Sequence, residues 1–303
     1  MNNVWAIDTD GLSKRFGSVH AVDSLDLHVA RGGITGFLGR NGAGKSTTIK
    51  MLLGMTHPTS GGGAVLGYRI DDRADSVQLR KHVAYVAEDK QTYAYLTVGE
   101  MIRFTRSFYD DWQADVEARL LDDYALPRDR KVKALSKGMR TKLALLLALA
   151  RRPALLILDE PSEGLDPVSI EELLQALVAA AADGAAVFFS SHQIAEVERI
   201  ADHVCVIDRG RLVVDASLDE IREQHRRIEL GFANNPPAWD WHGEGIGSVR
   251  THGRQITIMA RANADAIIER AYGIGAVSVE SCAVSLRELF LDSVVDVMEM
   301  DHA

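Results

Sequence analysis

The octapeptide Gly39-Arg40-Asn41-Gly42-Ala43-Gly44-Lys45-Ser46 fits the pattern G-x-x-x-x-G-K-[ST] and constrains this chain more than any other stretch. The run Ile34-Thr35-Gly36-Phe37-Leu38 before it reads as a short buried strand. Thr47 to Leu53, stopped at Gly54, reads as a helix. Glycines let the backbone curl until successive N–H groups face one anion, and the helix that follows adds its positive end. In such a cradle Lys45 is expected to reach the β- and γ-phosphates of a nucleotide. Ser46 is expected to ligate Mg²⁺, and Thr47 to add a phosphate contact.

A second feature is the run Leu155-Leu156-Ile157-Leu158-Asp159-Glu160, four apolar residues ending in two acids. A buried strand presents such acids at its C-terminal edge, where ligands sit in open α/β sheets. Asp159 is suited to hold Mg²⁺ through its water shell, as the Walker B acid does in P-loop NTPases. Glu160, one residue on, is suited to orient or deprotonate an attacking water. His192 follows the strand-like Val187-Phe188-Phe189-Ser190, with Ser191 between. An imidazole there can donate to a γ-phosphate or position the water. The competing readings are an ordinary strand end with solvated acids and an incidental histidine.

Among 303 residues the formal net charge is -9, so a free nucleic acid is not an expected partner. Cys205 and Cys282 supply neither a metal spacing nor a disulfide framework, which fits a reducing compartment. The N-terminus lacks a basic segment followed by an apolar one, and no run of 18 apolar residues exists. Any membrane role is therefore expected to come through a partner.

The first thirty residues read as strands and turns, and Gly61-Gly62-Gly63 as a turn. Val83 to Ala87 reads as a strand. Thr97-Val98-Gly99-Glu100 is a capping box opening a helix to about Tyr109. Helices are expected at Leu143 to Ala150, Glu171 to Asp183 and Gln193 to Ala201, alternating with strands at 155–159 and 187–190. A hairpin at 204–208 and 212–215 turns at Arg209-Gly210, and Ser217-Leu218-Asp219-Glu220 caps one more helix. Short apolar strands alternating with helices predict a mostly parallel sheet. Residues 226–303 read as a small α+β appendage. It has loops at Asn234 to Pro237 and Gly243 to Gly247, and strands at 255–260 and 276–279 around a helix at 264–272. Ser285 caps a final helix.

Leu135-Ser136-Lys137-Gly138-Met139 precedes the apolar helix and lies 20 residues before Leu155. With the phosphate loop and the Asp159-Glu160 strand, it resembles the ATP-binding cassette (ABC) family, whose signature is typically L-S-G-G-Q. Ser162-Glu163-Gly164-Leu165-Asp166 resembles the family's D-loop. His192 is similar to its switch histidine, and Phe16, in Lys14-Arg15-Phe16-Gly17, to the aromatic that stacks on adenine. The resemblance covers about residues 5–220.

The resemblance implies an α/β P-loop NTPase with a mostly parallel sheet. An N-terminal antiparallel β subdomain and a helical subdomain inserted at about 89–152 are expected within an ATP-binding domain of 1–225, ahead of an accessory domain of 226–303. It implies ATP hydrolysis with Mg²⁺ and coupling to an integral-membrane permease at the inner face of the cell membrane. It also implies a homodimer, with a heterodimer as the alternative, in which Ser136 and the Gly138 amide touch the γ-phosphate held by the other subunit. The Ser136-Lys137-Gly138-Met139 variant is similar to that of bacterial exporters whose ATPase and permease are separate chains. A non-transport ABC ATPase acting on a cytoplasmic macromolecular partner is the alternative function.

Two departures stand out. Lys137 replaces a glycine and Met139 the usual glutamine; Lys137 is read either as a solvent-facing side chain or as added positive charge near nucleotide. Glu88, in Tyr85-Val86-Ala87-Glu88-Asp89, stands where the family places a glutamine. A carboxylate can still ligate Mg²⁺ but cannot donate a hydrogen bond. Tyr93, Tyr95 and Leu96 follow, suited either to a groove for a partner helix or to packing within the helical subdomain.

Overall fold

The computed structural model describes residues 4–89, 92–237, 241 and 245–300, with side chains to 294. The chain forms two compact units, Met1–Asp215 and Ala216–Ala303.

The first unit opens with β1 (Trp5–Phe16), β2 (Val19–Leu25) and β3 (His28–Ala30), followed by β4 (Ile34–Leu38) and α1 (Lys45–Leu52). Then come β5 (Ser60–Val65), β6 (Tyr68–Arg69), α2 (Arg73–His82) and β7 (Val83–Val86). Three helices follow: α3 (Val98–Arg106), α4 (Ala114–Asp123) and α5 (Lys137–Leu149). The unit continues through β8 (Leu155–Leu158), α6 (Pro167–Ala182), β9 (Ala186–Ser191), α7 (Ile194–Ile200), β10 (His203–Asp208) and β11 (Arg211–Ser217).

The central sheet has the order β11-β10-β4-β9-β8-β7 and is parallel from β10 to β7. Every residue of β4, β8 and β9 is buried. Their unbroken apolar runs reflect burial on both faces, as expected of parallel strands under helices. A smaller antiparallel sheet, β2-β1-β5-β6 with β3 on β1, packs its apolar side into the same core through Ile7, Leu12, Leu25 and Val29.

The expected turn at Gly61-Gly62-Gly63 is instead the body of β5. A Cβ at Gly61 would lie 2.1 Å from the Gly11 carbonyl oxygen, and one at Gly63 would lie 2.7 Å from that of Asp8. These glycines permit a close approach to β1 rather than a reversal.

The helices α3, α4 and α5 enclose a core of their own around Ile102, Trp112, Leu121, Leu143 and Leu146. Burying Leu143 and Leu146 completely stabilises the folded chain by about 1.5–3 kcal/mol each. The Thr97 capping box is present, although the helix it opens stops at Arg106 rather than Tyr109. Buried Glu117 is satisfied by the Trp112 indole N–H at 2.9 Å and by the Arg128 guanidinium at 3.1 Å.

The second unit comprises α8 (Leu218–Gln224), β12 (Arg226–Phe232), β13 (Ile246–His252), β14 (Gln255–Ala260), α9 (Ala264–Gly273), β15 (Ala276–Ala283) and α10 (Leu286–Met300). Its antiparallel sheet has the order β13-β14-β12-β15, and one face buries Ile228, Leu230, Ile256 and Ile258 with Ile267 and Ala271 of α9. The expected α+β character is present, with β12 and β13 added. Of the loop expected at Gly243 to Gly247, residues 243 and 244 lie outside the described residues, while Ile246 and Gly247 belong to β13.

Candidate nucleotide site

Strand register assembles the site. Leu38, the last residue of β4, is level with Ser191 on β9 and Val206 on β10. Leu158, the last of β8, is level with Phe189. The loop 39–46, the acids 159–160 and the segment 190–192 therefore emerge side by side at the C-terminal edge of the sheet. Open α/β sheets place their ligands at this edge.

The loop's curl rests on Gly42 and Gly44, at φ +83° and +112°. A Cβ at Gly44 would lie 2.4 Å from the Ala21 carbonyl oxygen, so neither the conformation nor the space admits a side chain. Lys45 is 6% exposed, and its ammonium donates to the carbonyls of Gly39 at 2.6 Å and Arg40 at 3.2 Å. It also lies 3.0 Å from Glu160 Oε1. That oxygen is buried and accepts no aligned hydrogen bond, so the two groups meet through charge.

Glu160 has φ +43°, in the left-handed region that costs a residue with a side chain about 1–2 kcal/mol. Its N–H donates to Ser190 Oγ at 2.9 Å, and that hydroxyl donates to Asp159 Oδ1 at 2.7 Å. Its second carboxylate oxygen lies 2.8 Å from His192 Nδ1, while His192 Nε2 is 3.7 Å from Glu163. A cleft of about 360 Å³ is lined by Arg40, Asn41, Gly42, Gly44, Lys45, Ser46 and Thr47 together with Glu88, Glu160 and His192. Gly39 and Ala43 complete the loop from beneath, Gly39 through its carbonyl to Lys45 and Ala43 as a buried residue.

Ser46 and Glu88 line the cleft and Asp159 lies buried just past β8; hydroxyl and carboxylate oxygens are the donors a hard divalent cation takes. Burial, then the Asp159 carboxylate, then that of Glu88, push the Tyr85 hydroxyl up to about 12. The residues present fit Mg²⁺.

Beyond Gly39 and Ala43, four expected residues are not among those lining the cleft: Asp159, buried just past β8 with its Oδ1 accepting from Ser190, and Phe16, Ser136 and Gly138. Phe16 is 53% exposed at the end of β1, with the Lys14 ammonium 5.1 Å from its ring centroid. Ser136 caps α5, accepting from the Met139 N–H at 3.1 Å. Gly138 lies against α6, where a Cβ would meet Ser169 Oγ at 2.6 Å. Lys137 is exposed, and its ammonium folds over the D-loop of its own chain, 2.4 Å from where a Gly164 Cβ would be.

Two participants escape sequence reasoning. Ser190 joins Asp159 to the Glu160 backbone, and its only signal is a pair of hydroxyls ending an otherwise apolar strand. Glu196 accepts hydrogen bonds from Ser162 at 2.7 Å and Ser191 at 3.3 Å, tying the D-loop to β9. Burial keeps its carboxyl above the ordinary value despite those bonds. Leu96 packs into the helical core, whereas Tyr93, Tyr95, Phe104 and Phe108 form an exposed chain of rings with centroids 5.1–5.9 Å apart.

A profile of the family described as ABC transporter matches residues 22–163. The bacitracin transport ATP-binding protein of Bacillus licheniformis is 35% identical over 224 residues, 73% of this chain and 72% of that protein. The chain belongs to the ABC transporter family. The Nod factor export ATP-binding protein I of Ralstonia nicotianae is 35% identical over 71% of this ABC chain and 68% of its own. A solved ATP-binding subunit of an ABC transporter superposes with a TM-score of 0.66 at 33% identity, covering 72% of this chain and 92% of that one. The fold is accordingly that of an α/β P-loop NTPase, and this ABC subunit binds and hydrolyses ATP to power a transporter. Among its described residues no helix is long and apolar enough to cross a membrane.

Proposed function

We propose that this chain is the peripheral, cytoplasmic-face ATPase subunit of an exporter, working as a homodimer beneath a separate integral-membrane permease. The observation that carries this reading is the division of the expected residues. Lys45, Ser46, Glu88, Glu160 and His192 share one cleft, while Ser136 and Gly138 stand outside it at the start of α5. A second subunit facing the first would bring its Ser136 hydroxyl and Gly138 amide to the γ-phosphate, together with the N-terminal end of its α5.

In this reading the amides of residues 39–47 and the Lys45 ammonium hold the phosphates, and Phe16 stacks on the adenine. Ser46, Glu88 and Asp159 hold Mg²⁺, which offsets phosphate charge when bound. Glu160 orients and deprotonates the attacking water, and His192, held by that carboxylate, positions it or donates to the γ-phosphate. Residues 1–225 serve as the ATP-binding domain, with the helical subdomain at about 89–152, and 226–303 as an accessory domain. The exposed rings of Tyr93, Tyr95, Phe104 and Phe108 suit a permease helix. The name of the Nod factor export relative supports the outward direction; the other relative is named for bacitracin transport.

Affinity purification from detergent-solubilised membranes tests the reading. The expected result is a multi-helix membrane chain recovered with this subunit, with ATPase activity lost in Glu160→Gln. Recovery with ribosomes or nucleic acid and no membrane chain would replace it with a cytoplasmic role.

A further inference from the structure

The sequence shows no metal spacing around either cysteine, yet the β10–β11 hairpin builds a mixed ligand set. His203 and Cys205, two residues apart, share one face of β10. Asp215 returns on β11 to meet both, its Oδ1 lying 2.6 Å from His203 Nε2 and 3.4 Å from Cys205 Sγ. One ligand atom from each of the three residues lies within 4.8 Å of the other two. Cys205 is fully buried, whereas the side chains of His203 and Asp215 are 34% and 36% exposed, giving the cluster an apolar floor and an open rim. It sits where β10 begins, so the length of that strand separates it from the nucleotide cleft.

We propose that His203, Cys205 and Asp215 bind one Zn²⁺ ion, with water in the fourth position at the exposed rim. One nitrogen, one sulfur and one carboxylate oxygen are the donors this borderline-soft ion takes in tetrahedral sites. Ordinary Zn–N, Zn–O and Zn–S lengths place tetrahedral ligand atoms about 3.3–3.6 Å apart. The Cys205–Asp215 separation already falls there, and the His203–Asp215 pair needs to open by about 0.7 Å as the ion replaces the shared proton. Cys205 binds as thiolate and gives its proton to solvent. His203 binds through Nε2 as the neutral ring with its proton on Nδ1, and no oxidation state changes. The ion would clip the edge hairpin of the central sheet.

The test is Co²⁺ titration of the full-length, chelator-treated protein without nucleotide. One equivalent is expected to give a thiolate-to-cobalt absorption in the near ultraviolet and tetrahedral bands in the visible, both removed by added Zn²⁺. Cobalt at the Glu160, Glu163 and His192 cluster would lack the sulfur band. Cys205→Ala is expected to abolish the near-ultraviolet band, Asp215→Asn to weaken binding about tenfold or more, and Cys282→Ser to leave it intact. Asp215→Asn lies at a half-exposed position and guards against a folding defect at Cys205. The wild-type melting temperature is expected to rise with Zn²⁺, and that of Asp215→Asn to rise less. Absence of the sulfur band in the wild type, its persistence in Cys205→Ala, or its loss in Cys282→Ser would overturn the site.

Discussion

The Lys45 ammonium lies 3.0 Å from Glu160 Oε1, and both side chains are less than a tenth exposed. The residue that would grip the phosphates is thus held against the residue that would activate water. Lys45→Ala removes the phosphate contact and also leaves a buried carboxylate without its counter-charge. Charge-assisted contacts contribute about 1.5–3 kcal/mol, so ATP affinity is expected to fall roughly 10- to 150-fold, read by calorimetric titration. Affinity within a factor of two of wild type would remove the phosphate-loop assignment.

Glu160→Gln keeps the size of the side chain and removes its basicity. Turnover is expected to fall about 10²- to 10⁴-fold, and an ATP-bound dimer to accumulate with ATP but not with ADP. Adding Ser136→Arg, at the exposed N-cap of α5, is expected to prevent that dimer. Size-exclusion chromatography with light scattering decides; a monomer at every ATP concentration, alone and with the membrane partner, contradicts the two-chain site.

Glu88→Gln restores the glutamine typical of the family and leaves an oxygen ligand in place. ATPase activity is expected to survive, with the Mg²⁺ concentration for half-maximal rate raised severalfold because one negative charge is lost. Superimposable Mg²⁺ titrations would show that Glu88 does not touch the metal.

Gly36 lies in the middle of β4, and a Cβ there would lie 2.3 Å from Val197 Cγ1 on α7. Its backbone is ordinary, so the effect of Gly36→Ala is crowding alone. A loss of about 1–3 kcal/mol in denaturant unfolding is expected. An unchanged midpoint would mean that α7 moves aside without cost.

Truncation after residue 225 removes the β12–β15 sheet with α9 and α10. Among the described residues, the apolar cluster of that sheet draws on residues 228–279, and the cluster beneath the phosphate loop on residues before 213. The shortened chain is expected to stay soluble and bind ATP within a few-fold of wild type, checked by circular dichroism and nucleotide titration. Insolubility would show that the two clusters depend on each other.

What the sequence made legible follows from how much physics one local stretch contains. β4 and β8 are continuous apolar runs because both faces are covered, and the phosphate loop carries its own glycines and lysine. The helix α2 was not legible: Arg73 to His82 bury only Ser76 and Leu79, too few for a helical stripe. β12 is not legible either, because Arg226-Arg227-Ile228-Glu229-Leu230-Gly231-Phe232 follows a change in texture that resembles a linker. The glycines of β5 look like a turn until β1 is known to lie against them. Ser190 has no signal of its own, because its role comes from β8 ending beside it. Lys137 reads as solvent-facing, and it is exposed, but only the fold shows that it lies over Gly164.

The single hydroxyl of Ser190 also divides the site by mobility. It ties Asp159 and the Glu160 backbone to β9. His192 lies one residue beyond the strand, with its side chain 38% exposed; its backbone N–H and one ring nitrogen both meet one Glu160 carboxylate oxygen, and its other ring nitrogen lies 3.7 Å from Glu163. Backbone relaxation at 159, 160 and 190 is expected to be that of rigid strand, with faster or wider excursions beginning at 192. The acids keep time with the scaffold, and the histidine is the part of the site free to respond first when the contents of the cleft change.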